Sequence, residues 1–111
     1  MSNRFATYGE FWPHYLREHA KSQTRALHFL GTGMATAALV ATVVTGKVWL
    51  LSVALAAGYG PAWVAHFLVE KNRPATFTHP LWSLISDYRM AFVWLTGRLD
   101  TELAKAGVSQ R

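Results

Sequence analysis

With five histidines and no cysteine, this chain can bind a metal only through nitrogen and oxygen donors. In "PAWVAHFLVEKNRP", residues 61–74, His66 and Glu70 stand one helical turn apart at the end of an apolar run. On a helix the i,i+4 spacing puts both on one face, about 40° apart. An imidazole and a carboxylate so placed can share a metal, or act as a ligand and its hydrogen-bond acceptor. His28, in "RALHFLGT", opens a second apolar run, and only a short polar break separates it from His19 in "YLREHA". Three histidines at the edge of an apolar phase each carry a burial cost. A common metal removes that cost for all three, and Fe(II), Mn(II) and catalytic Zn(II) all suit such donors. Asn72 and Arg73 follow directly, and a guanidinium there suits a fatty-acid carboxylate at a membrane interface or, equally, a lipid headgroup. His14 is about 140° round the first helix from His19. His79 precedes Pro80 at a helix start, where capping is the ordinary role. Neither fits the same centre well.

The elements that place these residues follow from the apolar pattern. The 111 residues are 51% hydrophobic and 15% charged, with the apolar residues concentrated mid-chain. That pattern predicts one all-α, membrane-embedded domain over 1–111, an integral helical hairpin with two spans at about 26–45 and 48–69. Interfacial helices over about 8–20 and 80–106 flank it. "TGK" at 45–47 is the turn, Ser22 or Thr24 caps the first span, Pro61 loosens the second, and "AGVSQR" is a frayed tail. The tryptophans read mainly as interface anchors and packing residues, not as chemistry. In the last helix Leu81, Leu84, Ile85, Tyr88, Phe92, Leu95 and Leu99 form one stripe, with Asp87 and Arg98 turned away from it.

Residues equally far from a tight turn lie at equal depth. His28 is eighteen residues before Gly46 and His66 nineteen after Lys47, so their levels agree to about 1.5–3 Å. Arg4, Arg17, Lys21 and Arg25 precede the hairpin and Lys71, Arg73, Arg89, Arg98, Lys105 and Arg111 follow it, with only Lys47 in the turn. Both termini are therefore expected in the cytoplasm, at an inner membrane in a bacterium or the endoplasmic reticulum in a eukaryote. The first residues lack the apolar core of a secretory signal. The net charge of +5 is scattered singly, which favours membrane lipid over nucleic acid as partner. There is no phosphate-binding loop, dinucleotide fingerprint or nucleophile elbow. Small residues along 29–45 suit the hairpin itself and equally a homo-oligomer.

"FWPHYLREH", "RALHFLGT", "GYGPAWVAHFLVEKNRPATF" and "HPLWSLISDYRM" together resemble the 2-hydroxy fatty-acid dioxygenase family, over roughly residues 8–99. The resemblance implies an Fe(II)-dependent membrane enzyme. It would use O2 to convert a long-chain 2-hydroxy fatty acid to the acid one carbon shorter. The family's histidine pattern falls on His19, His28 and His66 as metal ligands and catalytic centre, with Ala65 where the family often has glycine. Glu70 is then a fourth ligand or a hydrogen-bond partner of one, and Asn72 and Arg73 substrate contacts. Two other classes fit the same residues: a non-enzymatic lipid-binding or scaffolding hairpin, and a metal-dependent lipid hydrolase that turns over without oxygen.

Overall fold

Long charge-free runs with dense small residues build the centre of the molecule. The computed structural model describes residues 5–108, so Arg4 and Arg111 lie outside the described residues. Among these, five α-helices and no strands are found: α1 (Tyr8–Arg17), α2 (Ser22–Thr45), α3 (Leu50–Val64), α4 (Pro80–Leu95) and α5 (Leu99–Lys105). The all-α expectation holds. A helix continuous from Ser22 to Thr45 and another from Leu50 to Glu70 are each long and apolar enough to cross a membrane. Only 17% and 22% of their most apolar stretches are buried within the chain, unlike core helices of a soluble protein.

Small side chains set how closely α2 and α3 approach. A Cβ on Gly31 would lie 3.0 Å from the Ala57 carbonyl oxygen and 3.1 Å from that of Gly58. Pro61 has no N–H to offer the Ala57 carbonyl one turn earlier, and Gly31 packs directly on that carbonyl. Ala38, Ala54 and Ala62 are buried along the same seam. The seam closes at Gly46, whose φ of 71° ends α2 with its N–H on the Thr42 carbonyl at 2.8 Å.

Pro61 does not break α3. The helix runs on through it and widens into a π-helical turn over Ala65–Glu70, closed by Lys71 at φ 63° and by an Asn72 N–H bond to the His66 carbonyl at 2.9 Å. No side chain of α2 caps that helix. The Glu70 carboxylate takes this role from across the hairpin, accepting from the Lys21 N–H at 2.6 Å and the Thr24 hydroxyl at 2.7 Å.

Helices α1, α4 and α5 form a cap with its own core of Phe11, Trp12, Tyr15, Leu16, Met90, Val93, Leu99 and Leu103. Trp12, one of the tryptophans expected as interface anchors and packing residues, packs here, donating to Glu102 at 2.9 Å beneath the Arg89 guanidinium. Ala106 and Val108 of the supposed frayed tail pack into the same core, while residues 109–111 lie outside the described residues. The helix expected over 80–106 is two helices, because Gly97 adopts φ 76° and the Arg98 N–H folds back to the Val93 carbonyl at 2.9 Å.

The apolar stripe of α4 faces outward. Leu81, Leu84, Ile85, Tyr88, Phe92 and Leu95 are all exposed, whereas Ser83, Ser86, Met90 and Val93 are buried. A Trp94 ring stacked on Phe29 at 4.5 Å and a Tyr88–Thr36 hydroxyl pair at 2.6 Å hold α4 against α2.

Gly31→Leu should force the hairpin apart and lower stability by roughly 1–3 kcal/mol, the usual cost of overpacking. A Cβ on Gly33 meets nothing within 4 Å, and Gly33→Ala should leave the hairpin packing unchanged. Thermal unfolding in detergent micelles distinguishes the two.

Candidate metal centre

The cap and the hairpin meet at three histidines. His19 follows the end of α1, His28 lies in the second turn of α2, and His66 sits in the π-helical turn after α3. Their exposures are 1%, 5% and 2%. One ring nitrogen from each lies within 4.8 Å of the other two, the one such cluster among the described residues.

The hydrogen bonds fix which nitrogen faces inward. His19 donates Nδ1–H to the Tyr15 carbonyl at 2.6 Å, and His28 donates Nδ1–H to the Thr24 carbonyl at 3.0 Å. Both acceptors stand four residues earlier, where a helix places a carbonyl beside the ring. His66 donates Nδ1–H to Asn72 Oδ1 at 2.7 Å, and the Asn72 amide is oriented by its own Nδ2 bond to the Glu18 carbonyl at 3.2 Å. With the proton on Nδ1, each Nε2 carries only a lone pair. Yet Nε2 of His19 is 3.0 Å from that of His28 and 3.1 Å from that of His66.

Three acceptors facing one another in a buried pocket repel unless a cation lies between them. Nitrogens held at about 2.0–2.1 Å around one tetrahedral ion stand roughly 3.3 Å apart, a few tenths of an ångström wider than the two separations here. The donor set therefore fits a metal ion: three neutral imidazoles, each anchored through its far nitrogen. Burial first, then the neighbouring His28 and His66 rings, hold His19 well below the ordinary imidazole range, so it is neutral near pH 7.

Supporting groups surround the triad. The Tyr15 ring stacks on His19 at 4.0 Å, and its hydroxyl donates to Asp87. Burial raises the Asp87 carboxyl to about 6 although the Tyr15 bond opposes this. Arg25 spans the α1–α2 connection, donating to the carbonyls of His19 and Ala20, each at 2.9 Å.

Of the other residues read from the sequence, Glu70 is not among the clustered groups. The π-helical turn carries its carboxylate to the start of α2, where its Thr24 partner is the residue whose carbonyl holds His28. Asn72, expected as a substrate contact, has both ends of its amide engaged, with His66 and with Glu18. Arg73 is exposed, its guanidinium 5.2 Å from the Phe77 ring centre. His14 pairs with Glu18 at 3.5 Å, and His79 accepts from the Phe5 N–H at 3.2 Å and stacks on Trp82, both away from the triad. The supporting roles of Tyr15 and Thr24 were overlooked in the sequence, although the i−4 spacing ahead of His19 and of His28 was a usable sign. Asp87 left no such trace.

The chain belongs to the 2-hydroxy-palmitic acid dioxygenase Mpo1-like family, whose pattern spans residues 5–99. No curated protein and no solved structure matches it.

Asn72→Ala removes the acceptor that orients His66 and should weaken metal affinity about 10–100-fold, the usual loss when such a partner is removed. Competition against a chelating dye, with unchanged helicity by circular dichroism, measures this.

Proposed function

We propose that this protein is an Fe(II)-dependent dioxygenase of the membrane, converting a long-chain 2-hydroxy fatty acid to the acid one carbon shorter. The observation that carries the reading is the set of three Nε2 lone pairs turned inward on one buried point, in a chain whose family is named for a 2-hydroxy-palmitic acid dioxygenase. The reaction is RCH(OH)COOH + O2 → RCOOH + CO2 + H2O. The bond between the carboxyl carbon and the hydroxyl-bearing carbon breaks. The substrate gives up four electrons and O2 takes up four, so no separate reductant or nucleotide is needed. Iron, held by His19, His28 and His66, would supply Lewis acidity and redox chemistry that amino-acid side chains lack.

The chain's own residues do the rest. Tyr15, Thr24 and Asn72 hold the proton of each ring on Nδ1 and aim Nε2 inward, while burial keeps His19 neutral. Glu70 ties the start of α2 to the end of the π-helical turn, which sets the distance between His28 and His66. Burial of the rings keeps bulk water from the reacting atoms. Lys21, Arg25, Lys71 and Arg73 lie on the segments next to the triad, and among them Arg73 is the exposed guanidinium suited to meet the carboxylate of an acid whose tail lies in the bilayer. These charges support a hairpin with both ends in the cytoplasm and the centre at that surface.

Purified protein loaded with Fe(II) should convert 2-hydroxypalmitic acid in air to the acid one carbon shorter, seen by mass spectrometry. His28→Ala or His66→Ala should abolish conversion, a loss of at least about a thousandfold for removal of essential machinery, and prior chelation should do the same. Oxygen-independent turnover would point instead to lipid hydrolysis. Iron-loaded, folded protein without product would leave a non-catalytic lipid-binding hairpin.

In membranes of intact cells, the Lys47 turn should lie on the face opposite both termini. Expressed in the inner membrane of bacterial cells with a permeabilised outer membrane, Lys47→Cys should react with an impermeant maleimide added outside, and Arg73→Cys should not.

A further inference from the structure

A groove of about 380 Å³ runs between α2, α3 and α4, lined on its apolar walls by Ala35, Leu39, Leu51, Ala54, Leu55 and Leu84. Its position relative to the histidines follows from helix geometry. Thr32, Ala35 and Leu39 stand four, seven and eleven residues after His28, all on the same face of α2. Tyr59 and Leu55 lie four residues apart on one face of α3, on the stretch that leads into the turn carrying His66. The groove therefore continues the His28 face of α2 toward the turn, and its far end at Leu39 is about 16 Å along the helix axis from the level of His28. The third wall, α4, is tied to His19 through Asp87 and the Tyr15 hydroxyl.

The lining is graded. Thr32, Tyr59, Asp87 and Tyr88 add polar groups, while Leu39, Leu51 and Leu55 line the part nearer the turn. A negative Asp87 on the wall disfavours a carboxylate lying alongside it. A fatty acid is therefore accepted tail first, with its head left at the histidines. One side is open, because Leu39, Leu51 and Leu55 are themselves 42%, 41% and 62% exposed. An acyl chain can thus slide in sideways from the bilayer without leaving the apolar phase.

Resting on the dioxygenase reading, we infer that this groove holds the acyl chain of the 2-hydroxy acid and that Leu39, Leu51 and Ala54, at its deep end, set the chain length accepted. The occupant is the substrate's own tail. A bulk lipid chain would need no continuity with the His28 face and no acid on the wall.

The test uses the full chain in lipid nanodiscs with 2-hydroxypalmitic acid carrying a diazirine at its terminal carbon. Photolysis should label the 48–59 segment, and excess unlabelled 2-hydroxypalmitic acid should suppress that label. Filling the deep end with Ala54→Phe should remove the label there. In Fe(II)-loaded enzyme it should also shift the kcat/KM ratio of long over short 2-hydroxy acids by about tenfold or more toward the short ones, with metal content unchanged. Leu55→Trp, at the exposed edge, provides a second variant should Ala54→Phe fail to fold. Label scattered over Val43, Val44, Leu68 and Leu95 and not suppressed by competitor would overturn the inference, as would an unchanged chain-length ratio in both variants. Suppressible label in the groove without turnover by the iron-loaded wild type would retain the groove and overturn the dioxygenase reading instead.

Discussion

Three imidazole nitrogens turned toward one another with no proton to share, that of His19 at about hydrogen-bond distance from the other two, are the constraint around which the rest of this fold is arranged. In a low-dielectric pocket such lone pairs repel, and an unpaired buried polar atom costs on the order of 1–3 kcal/mol. The surrounding structure holds them in place all the same. Each far nitrogen is engaged by an oxygen belonging to a rigid element: the last turn of α1, the first turn of α2, and the side chain that follows the π-helical turn. A site held from three separate elements is pre-organised for a cation, because little reorganisation is left for binding to impose.

Most other features serve to bring those three elements to one level. Glycine and alanine along the α2–α3 seam allow close approach of backbones, which in an apolar phase takes the place of a hydrophobic driving force. Pro61 leaves a carbonyl without its helical donor, and the widened turn that follows is the kind of irregularity often found at functional sites. That turn gives His66 its position and sends Glu70 across to cap α2. One carboxylate therefore ties the ends of both long helices beside the centre.

The cap reverses the usual logic of an amphipathic helix. In a soluble protein the leucine stripe of α4 would be buried. Here serines and a methionine face inward, and the leucines face out beside the exposed surfaces of α2 and α3. An apolar surface this continuous marks a face that meets lipid or another protein. The same arrangement lets α4 form the third wall of a groove open on that side while Asp87 keeps hold of Tyr15.

Much of this was determined by the sequence alone. Helical class, the hairpin turn at Gly46, and the equal depth of His28 and His66 follow from residue type, period and rise per residue, which are local quantities. So does the donor set, since a chain without cysteine has only nitrogen and oxygen to offer. Tertiary structure decided the rest. Which face of α4 is buried depends on what surrounds it, and periodicity gives a stripe without saying which way it points. The destination of Glu70 depended on the π-helical turn, whose added residue rotates everything after it relative to an α-helical count. Asp87 and Tyr15 are 72 residues apart, and no local rule could pair them. Their contact exists because α1 and α4 pack into one core, and packing is a property of the whole chain.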